Sequence, residues 1–319
     1  MSEAPKKSPV HAEVCLALGA TRRRLESYPP RETKLGVLPV LRTLPVKDRR
    51  LIGPWCFLDR YGPLSFTDGR PMDVAPHPHM GLQTVTWLLE GEIAHGDSLR
   101  GEGVARPGTV NVMTSGDGIA HTERTPAANS GRLSGVQLWV ALPDAHRRVA
   151  PSFQHVAEVP TVEPPGGGGL VQVFAGRLAG ASSPARHHSA IVGADLRVHP
   201  GETLVLPLDP GHEHGVIVLG GDAALDGRPL DEGPLHYLGT RREEAGFASR
   251  SGARLLLIGG PPFPEKVLMW WNFVARTPEE IVQARADWEE GRRFGEVSYD
   301  RPRLAAPALT RLARPNPAS

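Results

Sequence analysis

The sequence predicts an all-β protein with two tandem barrels of short antiparallel strands and one short helix near the C-terminus. Glycine (36) and proline (32) are abundant among the 319 residues and are spread along the chain, which is typical of many turns between short strands. Apolar runs of strand length alternate with turn signals, whereas helical periodicity is found only near the end. A stretch rich in proline and glycine at 161–169 separates two such β-rich regions, so we expect two barrels joined by a linker.

The first predicted element is a flexible, basic leader at 1–34. Residues 1–50 hold eleven lysines and arginines against five acids, and the breaker Tyr28-Pro29-Pro30 interrupts any regular pattern. The first barrel is expected at 35–160. It contains the buried apolar run 52–59 and continues through alternating strand and turn signals to the run 136–143.

The second barrel is expected at 170–262, directly after the linker. Its apolar runs have strand length and are bounded by glycine. The tail at 263–319 contains the one predicted helix, at 278–290. The segment 277–280 reads Thr-Pro-Glu-Glu, which is a capping box with proline at the first helical position, and Gly291 is a stop signal.

Four side chains in the first half have the spacing of a metal site, namely His77, His79, His121 and Glu123. In a strand, residues i and i+2 point to the same face, so each pair can direct both side chains into one barrel interior. Nitrogen and oxygen donors without thiolate suit one divalent Fe, Mn, Ni, Cu, Co or Zn ion better than a structural zinc, which usually takes cysteine. A single His-x-His pair is more often an ordinary hydrogen-bonded feature, but the second pair on a returning strand favours metal binding.

The second half has its own His-x-His pair, His212 and His214. The halves resemble a degenerate repeat in which 89–92 corresponds to 219–222. Under that correspondence the pair does not fall on the first-half histidines, and it lacks a His-x-Glu partner. We therefore predict a second barrel without metal, and we assign surface roles to His187, His188 and His199.

Composition excludes several classes of partner and location. The net charge of +1 gives no reason to expect nucleic acid or an anionic membrane as a partner. No apolar run approaches the ~20 residues that a membrane span needs, and the N-terminus lacks the apolar core of a secretory signal. Cys15 and Cys56 give no disulfide framework, which fits a reducing compartment. We expect a cytoplasmic protein.

Several long stretches resemble the pirin family of the cupin superfamily. They are 53–59, 77–91, 95–98, 106–108, 113–123, 270–273 and 277–281. The resemblance covers roughly residues 35–300 and implies a bicupin, with two cupin barrels of the double-stranded β-helix or jelly-roll type and metal only in the first. It also implies a site of three histidines and one glutamate that falls on His77, His79, His121 and Glu123. Because that site is most often described with iron, Fe(II) is the first expectation.

The resemblance also implies an activity, because some pirins are similar to quercetin 2,3-dioxygenases. In that reaction a flavonol loses its 3-hydroxyl proton, and O2 opens the heterocyclic ring with release of carbon monoxide. Glu123 is the expected catalytic residue, since it could accept that proton. The alternative is a non-enzymatic, metal- or redox-responsive regulator that binds a protein partner in transcription or metabolism, as eukaryotic pirins look like transcription cofactors. The same ligands serve both hypotheses.

The chain departs from the related patterns at two positions. The general cupin motif has a glutamate ligand four residues after the second histidine, where this chain has Gln83, so the carboxylate role passes to Glu123. Many pirins have arginine where Met80 stands, which puts the charge beside the metal entrance in doubt. Leu82, Trp87 and Met113 could line an apolar pocket or belong to the core.

Overall fold

The computed structural model describes residues 24–35, 38–67 and 71–309. Over these residues it consists of strands, connecting turns and one α-helix. Each half has a large sheet and a four-stranded sheet, and the sheets stay open as in a jelly-roll. The predicted fold class, all-β with two tandem cupin units and a short C-terminal helix, is confirmed.

The elements follow one another in three groups. The strands of the first half are β1 (Glu26–Tyr28), β2 (Arg31–Leu35), β3 (Leu38–Leu44), β4 (Trp55–Ser65), β5 (Asp73–His79), β6 (Leu82–Gly91), β7 (Ile93–Asp97), β8 (Glu102–Ala105), β9 (Val110–Thr114), β10 (Ile119–Arg124), β11 (Arg132–Ala141) and β12 (Ser152–Val156). Those of the second half are β13 (Thr161–Val162), β14 (Gly169–Leu178), β15 (Ala181–Ser182), β16 (Val192–Val198), β17 (Thr203–Pro207), β18 (Glu213–Gly221), β19 (Ala223–Leu225), β20 (Arg228–Leu230), β21 (Leu235–Gly239), β22 (Glu244–Ala248) and β23 (Ala253–Gly260). The tail contains β24 (Leu268–Trp270), β25 (Phe273–Ala275) and α1 (Pro278–Glu289).

The two halves repeat the same pair of sheets. In the first half the large sheet has the order β12-β9-β6-β11-β4-β3-β2, and the small sheet has the order β5-β10-β7-β8. In the second half the large sheet has the order β1-β21-β18-β23-β16-β14-β13, with β15 paired to β14, and the small sheet is β17-β22-β19-β20. This arrangement agrees with the degenerate repeat in the sequence.

The first described strand crosses to the other half of the molecule. Residues 1–23 of the predicted leader lie outside the described residues. Within the rest of that leader, β1 and β2 are strands, and β1 pairs with β21 through Glu26 and Tyr237. Ser27 Oγ lies 2.8 Å from His236 Nδ1 beside this pairing. The second-half sheet is therefore completed by residues from the start of the chain.

The two large sheets share one buried core. Alternate residues of β6, among them Val85 and Trp87, belong to that core, and the Trp87 ring stacks on Phe174 of the second half with 5.1 Å between centroids. The Trp87 indole N–H donates to Asp195 Oδ2 over 3.0 Å, and Arg254 pairs with the same carboxylate. Trp87 is thus a core residue at the junction of the halves and does not line a pocket inside the first barrel.

The interior of the second half is largely aliphatic. Its buried cluster joins both sheets and includes Val216, Leu255 and Phe247. His214 lies on β18 on the same face as Val216, because the two residues are two positions apart. It is 1% exposed, and burial lowers its pKa to about 4. The expectation that this half holds no metal stays a prediction.

Helix α1 spans Pro278–Glu289, and the sequence analysis expected a helix at 278–290. Thr277 is the N-cap, and the reciprocal hydrogen bonds of the capping box with Glu280 are both present. The helix ends at Glu289, and Gly291 follows with a positive φ of 70°. Its buried residues Ile281 and Trp288 join a cluster with Met80 and Phe273, so the helix packs behind the end of β5. In the described part of the chain, no helix is long and apolar enough to cross a membrane.

Candidate metal centre

The small sheet of the first half brings the predicted ligands onto one face. In β10, His121 lies opposite His77 of β5 on one side and opposite Asp97 of β7 on the other. Directly opposed residues share a face, and so do residues two apart in one strand. His79 and Glu123 therefore join this face, and all of these side chains are buried.

Three histidines form a compact nitrogen cluster. Each of His77, His79 and His121 offers a ring nitrogen, and these atoms all lie within 4.8 Å of one another. The ring centroids are 4.3 Å apart for His77 and His121, 4.9 Å for His79 and His121, and 5.1 Å for His77 and His79. The cluster is thus arranged so that one ion could contact three imidazoles.

The hydrogen bonds of these rings fit a metal ion. His77 Nδ1 lies 2.9 Å from the Ala75 carbonyl oxygen, which can only accept, so Nδ1 carries the proton and Nε2 keeps its lone pair. His79 Nδ1 and His121 Nε2 are buried and have no hydrogen-bond partner. A buried polar atom without a partner costs about 1–3 kcal/mol, and a bound cation would remove that cost. The donor set also suits an imidazole-binding transition metal.

Burial keeps the three imidazoles neutral. It lowers the pKa of His77 to about 4 and holds the pKa values of His79 and His121 well below the usual value. Positive charge on neighbouring histidines disfavours protonation further at His79 and His121. Because only a neutral imidazole can bind a metal, the cluster is in its binding form at neutral pH.

Glu123 lies on the same face but outside the three-histidine cluster. Its carboxylate Oε1 accepts a hydrogen bond of 3.1 Å from Gln137 Nε2, and Gln137 Oε1 accepts one of 2.9 Å from Thr86 Oγ1. Burial raises the pKa of Glu123 to about 7, although the bond from Gln137 opposes that shift. The assignments of Glu123 as fourth ligand and as proton acceptor stay predictions.

An aromatic wall stands beside the cluster. The Trp139 ring meets His79 edge to face with 5.2 Å between centroids, and it stacks on Phe57 at 4.0 Å. Arg42 lies over Phe57 at 4.5 Å and forms two hydrogen bonds of 2.8 Å with Asp59. The two aromatic rings are therefore buried next to the imidazole cluster.

The end of β5 is fixed by a glycine turn and by the tail. Gly81 has a φ of +75°, and a Cβ there would lie 2.0 Å from the Val274 carbonyl oxygen, so only glycine fits. The Val274 N–H donates to the Met80 carbonyl oxygen over 2.9 Å. The turn and the β24–β25 hairpin therefore hold the backbone directly after His79.

Two departures seen in the sequence have a structural answer. Gln83 points towards the second half, where its Oε1 lies 3.0 Å from His187 Nδ1. It is therefore no substitute for the missing cupin glutamate, and His187, to which a surface role was assigned, is partly buried at this contact. Beside Met80, the guanidinium of Arg293 from the tail lies 3.1 Å from the Sδ atom, so a positive charge contacts this side chain.

Two polar residues of this face were missed as site residues. His95 and Asp97 of β7 were noted only as part of the family resemblance. They have the same two-residue spacing as the metal-ligand pairs, and this spacing could have identified them. Both are buried, and His95 lies against His121.

Comparisons with known proteins agree with this architecture. The family model Pirin matches residues 37–140, and the model of the Pirin C-terminal cupin domain matches residues 193–295. One relative is a Pseudomonas aeruginosa protein that bears the provisional name quercetin 2,3-dioxygenase. It is 44% identical over 86% of this chain and 87% of its own length. A pirin-like protein of Caulobacter vibrioides is 38% identical over 83% of this chain and 93% of its own.

A solved structure gives the same result. The crystal structure of a quercetin 2,3-dioxygenase from Acinetobacter baumannii superimposes with a TM-score of 0.87 at 40% sequence identity, over 91% of this chain and 97% of that one. The resemblance inferred from the motifs is therefore confirmed for both halves of the molecule. The chain belongs to the pirin family.

Proposed function

We propose that the protein is a metal-dependent dioxygenase that opens the heterocyclic ring of flavonols such as quercetin with O2. The observation that carries the proposal is the cluster of His77, His79 and His121, buried next to the aromatic wall of Trp139 and Phe57. The similarity of this chain to proteins named quercetin 2,3-dioxygenase supports the same reaction class.

The three histidines would hold one divalent ion, and Glu123 would be the fourth ligand. Fe(II) is our first choice, and Mn, Ni, Cu, Co and Zn are the alternatives. When bound, the ion supplies Lewis acidity and a route for electrons between flavonol and O2.

The remaining residues would bind and orient the flavonol. Apolar contact with the Trp139 ring would hold the flat rings beside the cluster. Glu123 would accept the 3-hydroxyl proton, and the chain of bonds from Thr86 through Gln137 would keep its carboxylate in place. The buried setting would keep water from the deprotonated flavonol.

The test is O2-dependent loss of quercetin. Protein loaded with Fe(II) is mixed with quercetin under air and under nitrogen, and the visible absorption band of quercetin and the carbon monoxide released are measured. We expect turnover only under air, and none in His121→Ala or Glu123→Gln, whereas the matched control His212→Ala should retain it. No turnover by the wild-type protein with several flavonols and each alternative metal would overturn the proposal, and a co-purifying protein partner would then favour the regulator.

A further inference from the structure

His95 and Asp97 form a polar chain that ends on a proposed metal ligand. His95 Nε2 lies 3.0 Å from Asp97 Oδ2, and His95 Nδ1 lies 3.4 Å from His121 Nδ1. The two nitrogens of His95 thus contact one carboxylate and one imidazole. Neither His95 nor Asp97 has a part in the reaction proposed above.

Both members of this chain are held rigidly. Asp97 Oδ1 accepts hydrogen bonds of 2.8 Å from the backbone N–H groups of Leu99 and Gly101, which leaves Oδ2 for His95. The His95 ring stacks on Phe153 with 4.0 Å between centroids and 3° between planes. The side chains of His95 and Asp97 are 5% and 0% exposed. The ring of His95 therefore has little freedom to turn.

The carboxylate at one end fixes one proton position in His95. A carboxylate can only accept, so His95 Nε2 carries a proton. His95 Nδ1 can then accept a hydrogen bond from His121 Nδ1, which lies 3.4 Å away. His121 Nε2 is left with a lone pair, and this is the buried nitrogen without a hydrogen-bond partner.

We propose that Asp97 and His95 are positioning residues that fix His121 in the tautomer whose Nε2 atom can bind the metal. Histidine ligands commonly donate their second N–H to a carboxylate or carbonyl, which sets the tautomer and the ring orientation. Here the imidazole of His95 stands between the carboxylate and the ligand. The inference rests on the metal site of the proposed function but not on its substrate.

The replacement Asp97→Asn should reverse the direction of the hydrogen bonds between residue 97, His95 and His121. The backbone N–H groups of Leu99 and Gly101 need an acceptor, so they should retain the amide oxygen, and the NH2 group should face His95. His95 Nε2 then becomes an acceptor, and its Nδ1 donates to His121. His121 Nε2 would carry the proton and could not bind a metal in that form.

Two replacements of His95 separate positioning from packing. His95→Phe keeps a flat ring against Phe153 but removes the acceptor for His121. His95→Asn loses the ring but keeps an amide oxygen near the position of Nδ1. His155→Phe is the matched control, because His155 is an exposed histidine that contacts Asn111 instead of the cluster.

The first readout is the affinity for Zn²⁺, measured by competition with a chromophoric chelator. We expect Asp97→Asn and His95→Phe to lose about 10–100-fold, as is typical for residues behind a metal ligand. His95→Asn should bind Zn²⁺ more tightly than His95→Phe, and His155→Phe should match the wild type. Affinities for Asp97→Asn and His95→Phe within about 2-fold of the wild type, or no recovery in His95→Asn, would overturn the proposal.

The second readout needs no metal. Nitrogen-15 NMR of the metal-free protein reports which imidazole nitrogen of His121 carries the proton. We expect Nδ1–H in the wild type and Nε2–H in Asp97→Asn, and the Nε2–H form in the wild type would overturn the proposal. If the wild type bound Zn²⁺ but did not consume quercetin, only the proposed reaction would fail.

Discussion

His214 should make the folded state sensitive to acid. Burial lowers the pKa of this imidazole to about 4, whereas the usual pKa of an exposed histidine is 6.5. Between these values the unfolded chain binds a proton on this residue and the folded chain does not. The free energy of unfolding therefore falls as the pH falls through this window, and the full stability is present above it.

The size of the effect follows from the two pKa values. At about pH 5, nearly all unfolded molecules carry the proton on His214, but only about one folded molecule in ten does. Relative to about pH 8, this difference corresponds to a loss of about 2 kcal/mol in the free energy of unfolding. The variant His214→Phe should lack this contribution, whatever its stability at neutral pH.

Urea unfolding with a chelator present measures the effect. The free energy of unfolding is determined at about pH 8 and about pH 5 for the wild type, for His214→Phe and for the exposed control His199→Phe. The wild type and the control should lose about 2 kcal/mol more than His214→Phe. Equal losses in all three proteins would refute the argument that burial keeps His214 neutral.

Three further outcomes are expected. His79→Ala should lose most of its bound metal while His212→Ala retains it, and the metal-to-protein ratio after purification checks this; equal loss in both would contradict a single first-half site. Asp195→Ala should lower the free energy of unfolding in urea by about 3–5 kcal/mol, because the buried N–H of Trp87 and the guanidinium of Arg254 lose their partner. An unchanged midpoint of urea unfolding would argue against the bond between Trp87 and Asp195. Thr277→Ala should cost about 1 kcal/mol in the same measurement, because it removes the helix cap, and an unchanged value would show that the capping box adds no stability.

The histidine cluster was predictable because it depends on local periodicity. Alternation along a strand puts His77 and His79 on one face, and the same rule applies to His121 and Glu123. The sequence cannot say how the two strands align, because that register is set by pairing between distant segments. It therefore could not show that the histidines converge while Glu123 bonds to Gln137.

Other features were hidden because local patterns do not reveal long-range packing. Strand β6 is buried on both faces, and each face mixes apolar with polar residues, so alternation does not say which face meets the ligands and which face meets the second half. Trp87 was therefore an ambiguous candidate. The pairing of β1 with β21 joins segments about two hundred residues apart, and no short-range sequence pattern predicts which strand pairs with β1.

The crossing of β1 and the shared core have a consequence for protein engineering. Cutting the chain at 161–169 would leave each fragment with a bare apolar sheet, and the C-terminal fragment would also lose the edge strand that its own sheet requires. The half that contains the histidine cluster therefore cannot be transferred alone into another protein. Grafting it into a foreign host would require carrying both halves along.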